Sequence, residues 1–167
     1  ARMCPAFSHP ADAPLRDWLA KETPEPVLYP DLAIIDAHHH LWDYSFMPPF
    51  APQDLDHHIP KAVSFFAQKM YLAEEAMEDF GGDDDRHNVV GTVFAQCGSF
   101  YDKEAEKHMK EVGEVKRVHE ISQSSKNGEN VKLACGIIGT CDLTLPADQL
   151  EECLDAMKQF PGFKGVR

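Results

Sequence analysis

Four short apolar runs, separated by stretches of helical periodicity, constrain this chain more than any other feature. Leu32 to His38, Asn88 to Cys97, Val131 to Gly139 and Gly162 to Arg167 read as buried strands. Between the first two, Phe66, Met70, Ala73, Met77 and Phe80 recur at helical spacing and predict an apolar helix face. Gly81-Gly82 and the acidic Asp83-Asp84-Asp85 turn close that helix. Val112, Val115, Val118 or His119, and Ser122 give a second, weaker stripe. The turn from Ser124 to Asn130, with Asn127-Gly128, leads into the third strand. Leu150, Cys153 or Leu154, and Met157 give a third stripe that starts near Pro146. The order β-α-β-α-β-α-β predicts an α/β fold with a parallel sheet covered by helices. Two architectures satisfy it: the first half of a (β/α)8 TIM-type barrel, or an open doubly wound sheet.

Length separates these only in part. The chain has 167 residues, enough for one domain with a real core. A complete (β/α)8 barrel takes about 250 residues, so only its first four strands would be present, as a half-barrel. Residues 1–31 carry Pro5, Pro10, Pro14, Pro24, Pro26 and Pro30, which predicts an extended N-terminal arm. Asp17 to Lys21 has room for a short helical turn around Trp18. The barrel-type unit then spans residues 32–167. After its first strand comes a long proline-bearing loop, Asp43 to Ile59, of the kind that is often functional.

Charge and composition exclude some partners. Against 16 basic residues stand 28 acidic ones, a formal charge of −12, with no basic cluster to offset it. Such a surface repels nucleic-acid phosphates and anionic lipid. No apolar run approaches a membrane span, and no signal peptide is evident at the N-terminus, although the chain does not begin with Met. Five cysteines, an odd number without a Cys-x-x-Cys pair, favour a reduced, cytoplasmic protein over a disulfide framework.

The sharpest chemical feature is Asp36-x-His38-x-His40 at the C-terminal end of the first run. Side chains two apart on a strand share a face, so His38 and His40 should project together, with Asp36 beside them and His39 facing away. Two neutral imidazoles on one face make half of a zinc-type site, at the sheet end where α/β sites lie. The bland alternative is three histidines that merely end a strand. A catalytic zinc needs a third protein ligand, and no convincing candidate appears in the sequence. His57-His58 reads as a solvated loop pair, and His9, His87, His108 and His119 as surface or helix residues.

Other strand ends border the same region. Gln96 and Cys97 end the second strand, and Thr140, Cys141 and Asp142 the third. Gln96 and Asp142 are candidate substrate contacts; Asp142 serves equally well as a turn cap. Cys97 has no basic neighbour in sequence to lower its pKa, which argues against a nucleophile. The turn after the first strand has no glycine, and no Gly-x-x-x-x-Gly-Lys loop exists, which counts against nucleotide-binding open sheets.

Taken together, these residues resemble the amidohydrolase-related family (amidohydrolase family 2), from about Trp18 to Arg167. The similarity lies in Tyr29-Pro30-Asp31-Leu32, Asp36 through Asp43, Tyr71 to Glu75, Asn88 to Cys97, Val112 to Val115, Cys135 to Leu143 and Gly162 to Arg167. The His40-Leu41-Trp42-Asp43 ending is fairly specific to the branch that includes lactone hydrolases. The resemblance implies a (β/α)8 barrel that hydrolyses a lactone, ester or amide of a small-molecule substrate with activated water. It implies His38 and His40 as metal ligands, zinc being the expected divalent ion, and Arg167 as a contact for an anionic substrate. The general base and the remaining ligands would lie on strands beyond Arg167. The branch also includes metal-independent lactonases, which leaves His38 and His40 a substrate-binding role. The alternatives are a catalytically incomplete half-barrel that acts by self-association through its open sheet edges, or a small-molecule-binding α/β domain without chemistry.

Overall fold

A computed structural model of the chain describes residues 17–18, 20–21, 23, 26–45, 70–80, 87–124 and 131–167. Strand β1 (Ile34–His39) is followed by the two-residue β2 (Trp42–Asp43) and β3 (Met70–Tyr71). Helix α1 (Ala73–Phe80), β4 (Val89–Ala95), α2 (Val112–Ser124), β5 (Lys132–Gly139), α3 (Ala147–Lys158) and β6 (Phe163–Val166) complete the order. The expected β-α-β-α-β-α-β series is present, with the small β2–β3 pair added. Several expected features lie outside the described residues: most of the proline-rich arm, the loop from residue 46 to 59 with His57-His58, Phe66, the 81–85 turn and Asn127-Gly128.

β1, β4, β5 and β6 form one parallel sheet in that order. Each strand therefore lies beside its predecessor, and the direction of winding does not reverse among the described strands. One hydrophobic cluster joins this sheet to all three helices: Phe94, Leu133 and Ile137 meet Ala76 of α1, Val115, Val118 and Ile121 of α2, and Cys153 and Met157 of α3. Phe94, Ile137 and Met157 have no exposed surface. Burying side chains of that size stabilises the fold by about 1.5–3 kcal/mol each. On the opposite face a Cβ at Gly136 would meet the side chains of Val93 and Lys164. Ile35, on the edge strand β1, is 60% exposed.

Met70 departs from the helical expectation. It pairs with Asp43 in the antiparallel β2–β3 ladder, while Trp42 stacks on Tyr71 with ring centroids 4.8 Å apart. The helix starts only at Ala73 because the Glu75 carboxylate accepts the backbone N–H of Leu72 at 2.8 Å, an N-terminal cap. Aromatic stacking thus outweighs the apolar periodicity that would carry the helix back to Met70. Helix α3 begins immediately after Pro146, whose fixed extended backbone serves as the N-cap.

All three pairings shift register, and the shifts shape the sheet. Between Gly91 and Val93 of β4, the partner residues on β5 advance from Lys132 to Gly136. The surplus is taken up at Ala134, which is buried and adopts a φ of 48°. That is a left-handed conformation unusual for alanine, as at a β-bulge. Thr92 accommodates it, its hydroxyl accepting the Ala134 N–H at 2.8 Å. Along β1 the partners of Asp36 and His39 are Thr92 and Phe94, so β1 carries one residue more than β4 over this stretch.

Candidate functional site

The C-terminal ends of four parallel strands form one rim of the sheet. His38 and His40 stand at the end of β1, Gln96 and Cys97 follow β4, Thr140 to Asp142 follow β5, and Arg167 follows β6. Parallel pairing in sequential order brings these residues to one edge, although they run from residue 38 to residue 167.

His38 and His40 lie side by side, their ring centroids 5.0 Å apart and their planes at 90°. His38 is exposed and His40 half-buried. His40 Nδ1 lies 2.8 Å from the carbonyl oxygen of Ala95 at the end of β4. A carbonyl only accepts, so Nδ1 carries the proton and donates it, and in the neutral ring Nε2 keeps a lone pair. The strict alternation that would put Asp36 on their face is not continuous along β1. The extra residue in β1 between Asp36 and His39 interrupts the two-residue period there.

His39 turns into the core, between Phe80 of α1 and Phe94 of β4, with centroids 5.7 and 6.1 Å away. Its Nε2 lies 2.9 Å from Thr92 Oγ1, while its Nδ1 is buried with no hydrogen-bond partner among the described residues. Burial in this aromatic pocket lowers the imidazole pKa from 6.5 to about 4, so the ring is neutral at physiological pH.

A buried carboxylate that sequence reasoning missed lies beneath the rim. Glu114, in the first turn of α2, is 1% exposed. It accepts the backbone N–H of Ser99 at 2.8 Å and of Cys97 at 3.3 Å, and the N–H groups of Gly98 and Phe100 also point to it. Successive amides converge on one anion because Gly98 has a φ of 80°, which glycine adopts without strain. Burial still raises the Glu114 pKa above the ordinary carboxylate value, with these four amides opposing the rise. The only trace in the sequence is Gly98-Ser99 directly after a strand, with an acidic residue opening the next helix. Nothing in that pattern pairs the two.

Burial and the neighbouring Glu114 together keep Cys97 a thiol. Burial first, and then the neighbouring carboxylate, push the thiol up to about 12. The protonated sulfur donates to the Leu41 carbonyl at 3.2 Å, an arrangement for a structural thiol rather than a nucleophile.

Gln96 donates its side-chain N–H to the Tyr101 hydroxyl at 2.7 Å. Asp142 caps its own turn: Oδ1 accepts the backbone N–H of Thr144 at 2.9 Å and its hydroxyl at 2.6 Å. These bonds hold the Asp142 pKa below the usual carboxylate value. Arg167 is anchored through its backbone, its N–H donating to Gly139 and its carbonyl accepting from the Thr140 hydroxyl. Among the described residues no group of three or more His, Cys, Asp or Glu side chains is placed to hold a metal ion. No helix of the described residues is long and apolar enough to cross a membrane.

Comparison with protein-family models, with curated proteins and with solved structures gave no match.

Proposed function

We propose that the strand-end rim is one side of a hydrolase site, within a (β/α)8 barrel completed by four further parallel strands, and that it cleaves a lactone, ester or amide. The observation that carries this reading is the hydrogen bond from His40 Nδ1 to the Ala95 carbonyl. It fixes the tautomer and leaves the Nε2 lone pair available beside His38, as metal-ligating histidines are commonly held. The sequential strand order adds support, because a barrel winds in one direction whereas a doubly wound sheet reverses. The resemblance of Asp36 to Asp43 to the amidohydrolase-related family points the same way.

In this reading His38 and His40 hold a divalent ion, zinc by the chemistry of neutral imidazole donors, together with a ligand from a further strand. Such an ion, when bound, polarises a carbonyl and lowers the pKa of water. The part of this chain is to hold two imidazoles side by side, with the His40 ring oriented by the Ala95 carbonyl. Gln96, Asp142 and Arg167, on the same rim, contact the substrate, with the Arg167 guanidinium suited to an anionic group.

The test is hydrolysis of a lactone and ester panel by the native-length protein, with and without chelator. His38→Ala and His40→Ala should each lower kcat/KM by more than the roughly 10–100-fold that loss of a ligand's hydrogen-bond partner costs. Full activity in His38→Ala on a true substrate would sink the assignment. Full activity under chelation would move the two histidines to substrate binding.

A second reading has its own observation. Among the described residues β1 and β6 are unpaired sheet edges, and Ile35 on β1 is largely exposed. Unpaired edges recruit strands, so two copies can complete one another. Sedimentation of the chain across a concentration series decides this; a monomer throughout would dismiss it.

A further inference from the structure

Two segments meet at the rim, and one buried carboxyl group, that of Glu114, anchors the second. The segment after β1 runs His40-Leu41-Trp42-Asp43, and the loop after β4 runs Gln96 to Tyr101. Two bonds stitch them together, and a third ties the histidine to the last residue of β4. Ala95 O accepts from His40 Nδ1 at 2.8 Å, Leu41 O accepts from Cys97 Sγ at 3.2 Å, and Ser99 Oγ accepts from Asp43 N at 3.0 Å. The bonds to Leu41 and Asp43 therefore depend on where Cys97 and Ser99 stand. Those two are the residues whose backbone N–H groups Glu114 binds directly. The far side of the loop is pressed onto the same helix turn. A Cβ at Gly113 would come within 2.7 Å of Asp102 N and 2.9 Å of Phe100 O.

From this connectivity we infer that Glu114 is a positioning residue for His40: by anchoring the 97–100 loop it fixes the chain that follows the histidine, and so the tautomer and orientation of the ring. A carboxylate suits this task better than any neutral side chain. It is acceptor-only, and every group converging on it here donates. A glutamine in its place would turn an NH2 group towards one of the amides and leave both donors unsatisfied, at a site where a buried polar group must be paired. The consequence passes to Leu41 and Asp43 through Cys97 and Ser99, and to His40 between them and the Ala95 carbonyl. The inference concerns the imidazole geometry and holds whether or not the rim is a hydrolase site.

The test reads the ring itself. In the chain labelled with 15N-histidine, long-range 1H–15N correlation spectra distinguish the Nδ1–H from the Nε2–H tautomer. His40 should be predominantly Nδ1–H in the parent chain. In Glu114→Gln it should move towards the Nε2–H form that free imidazole side chains prefer. A second pair of variants leaves Glu114 in place and guards against misfolding: Cys97→Ala should shift His40 in the same direction, and Cys97→Ser, which keeps a donor to Leu41 O, should not. A folded Glu114→Gln protein with His40 still Nδ1–H would overturn the inference. If Glu114→Gln does not fold, an unshifted tautomer in Cys97→Ala overturns it instead. Titration with Co2+ separates this outcome from the fate of the hydrolase reading. With a shifted tautomer and binding at His38 and His40, the affinity should fall about 10-fold or more in Glu114→Gln. A shifted tautomer with no Co2+ bound by any variant supports the role of Glu114 and removes the metal from the proposed function. An unshifted tautomer with Co2+ bound through His40 overturns the role of Glu114 and leaves the proposed function standing.

Discussion

Thr92 Oγ1 lies 2.9 Å from His39 Nε2, and the same oxygen accepts the backbone N–H of Ala134 at 2.8 Å. One hydroxyl thus ties β1, β4 and β5 together inside the core, next to the strand-end rim. Valine has the shape of threonine but neither donates nor accepts. Thr92→Val would leave an imidazole nitrogen and a bulge amide without partners. Each such buried group costs about 1–3 kcal/mol, so urea denaturation of Thr92→Val should lose about 2–6 kcal/mol with an unchanged m-value. A loss below about 0.5 kcal/mol would show that the bonds contribute nothing net.

His39 makes stability depend on pH. Its folded pKa is about 4 against 6.5 when unfolded. A depressed histidine pKa means that the unfolded chain binds the proton more readily. The contribution is therefore complete above pH 6.5 and is lost as pH falls towards 4, by up to about 3 kcal/mol. Glu114, whose pKa is raised, acts in the opposite sense, favouring the fold at low pH. His39→Gln keeps a partner for Thr92 and removes only the histidine titration. Between pH 7.5 and 4.5 the parent chain should lose about 2–3 kcal/mol more than this variant does. Parallel pH profiles for the two proteins would refute the role of His39.

Ala134 holds a left-handed backbone at 2% exposure. That conformation costs an L-residue about 1–2 kcal/mol, and a β-branched one more. Glycine relieves the strain but gives back part of it as unfolded-chain entropy. Thermal melts should place Ala134→Gly from neutral to about 1 kcal/mol more stable, and Ala134→Val at least about 2 kcal/mol less stable. A stabilising valine would mean that the bulge is not held in this form.

Gly113 has backbone atoms of residues 100 and 102 where a side chain would go. These atoms cannot move like the end of a flexible side chain. Gly113→Ala should therefore cost about 1–3 kcal/mol despite the better helix propensity of alanine. The cost should appear in chemical denaturation, and the amide shifts of residues 97 to 102 should move with it. An alanine variant as stable as the parent would show that the loop yields freely.

How much of this was legible beforehand differs from one residue to another. The apolar runs of β4, β5 and β6 and the helical stripe of α3 could be read directly, because burial imposes a period that composition records. The strand-end placement of His38 and His40 followed from the same reasoning. The spacing of Met70 fits a helix, and only its ladder pairing with Asp43, beside the stacked Trp42 and Tyr71, assigns it to a strand. Alternation places Asp36 with the two histidines only if the register is unbroken, and the register of β1 against β4 shifts between Asp36 and His39. Asp142 was open between two roles, and its bonds to Thr144 give the capping role a structural basis.

By itself the sequence determined which segments form the sheet and its covering helices, and that His-x-His ends the first strand. Those properties are local, since each depends on side chains a few positions apart in the chain. Only the tertiary structure decided the strand order, the bulge at Ala134, the tautomer of His40 and the burial of Glu114 under the loop it anchors. Each of these depends on one group meeting another from a different element, as when His40 reaches Ala95 across 55 positions of chain. No local periodicity encodes such a meeting, because its free energy exists only once the strands have paired.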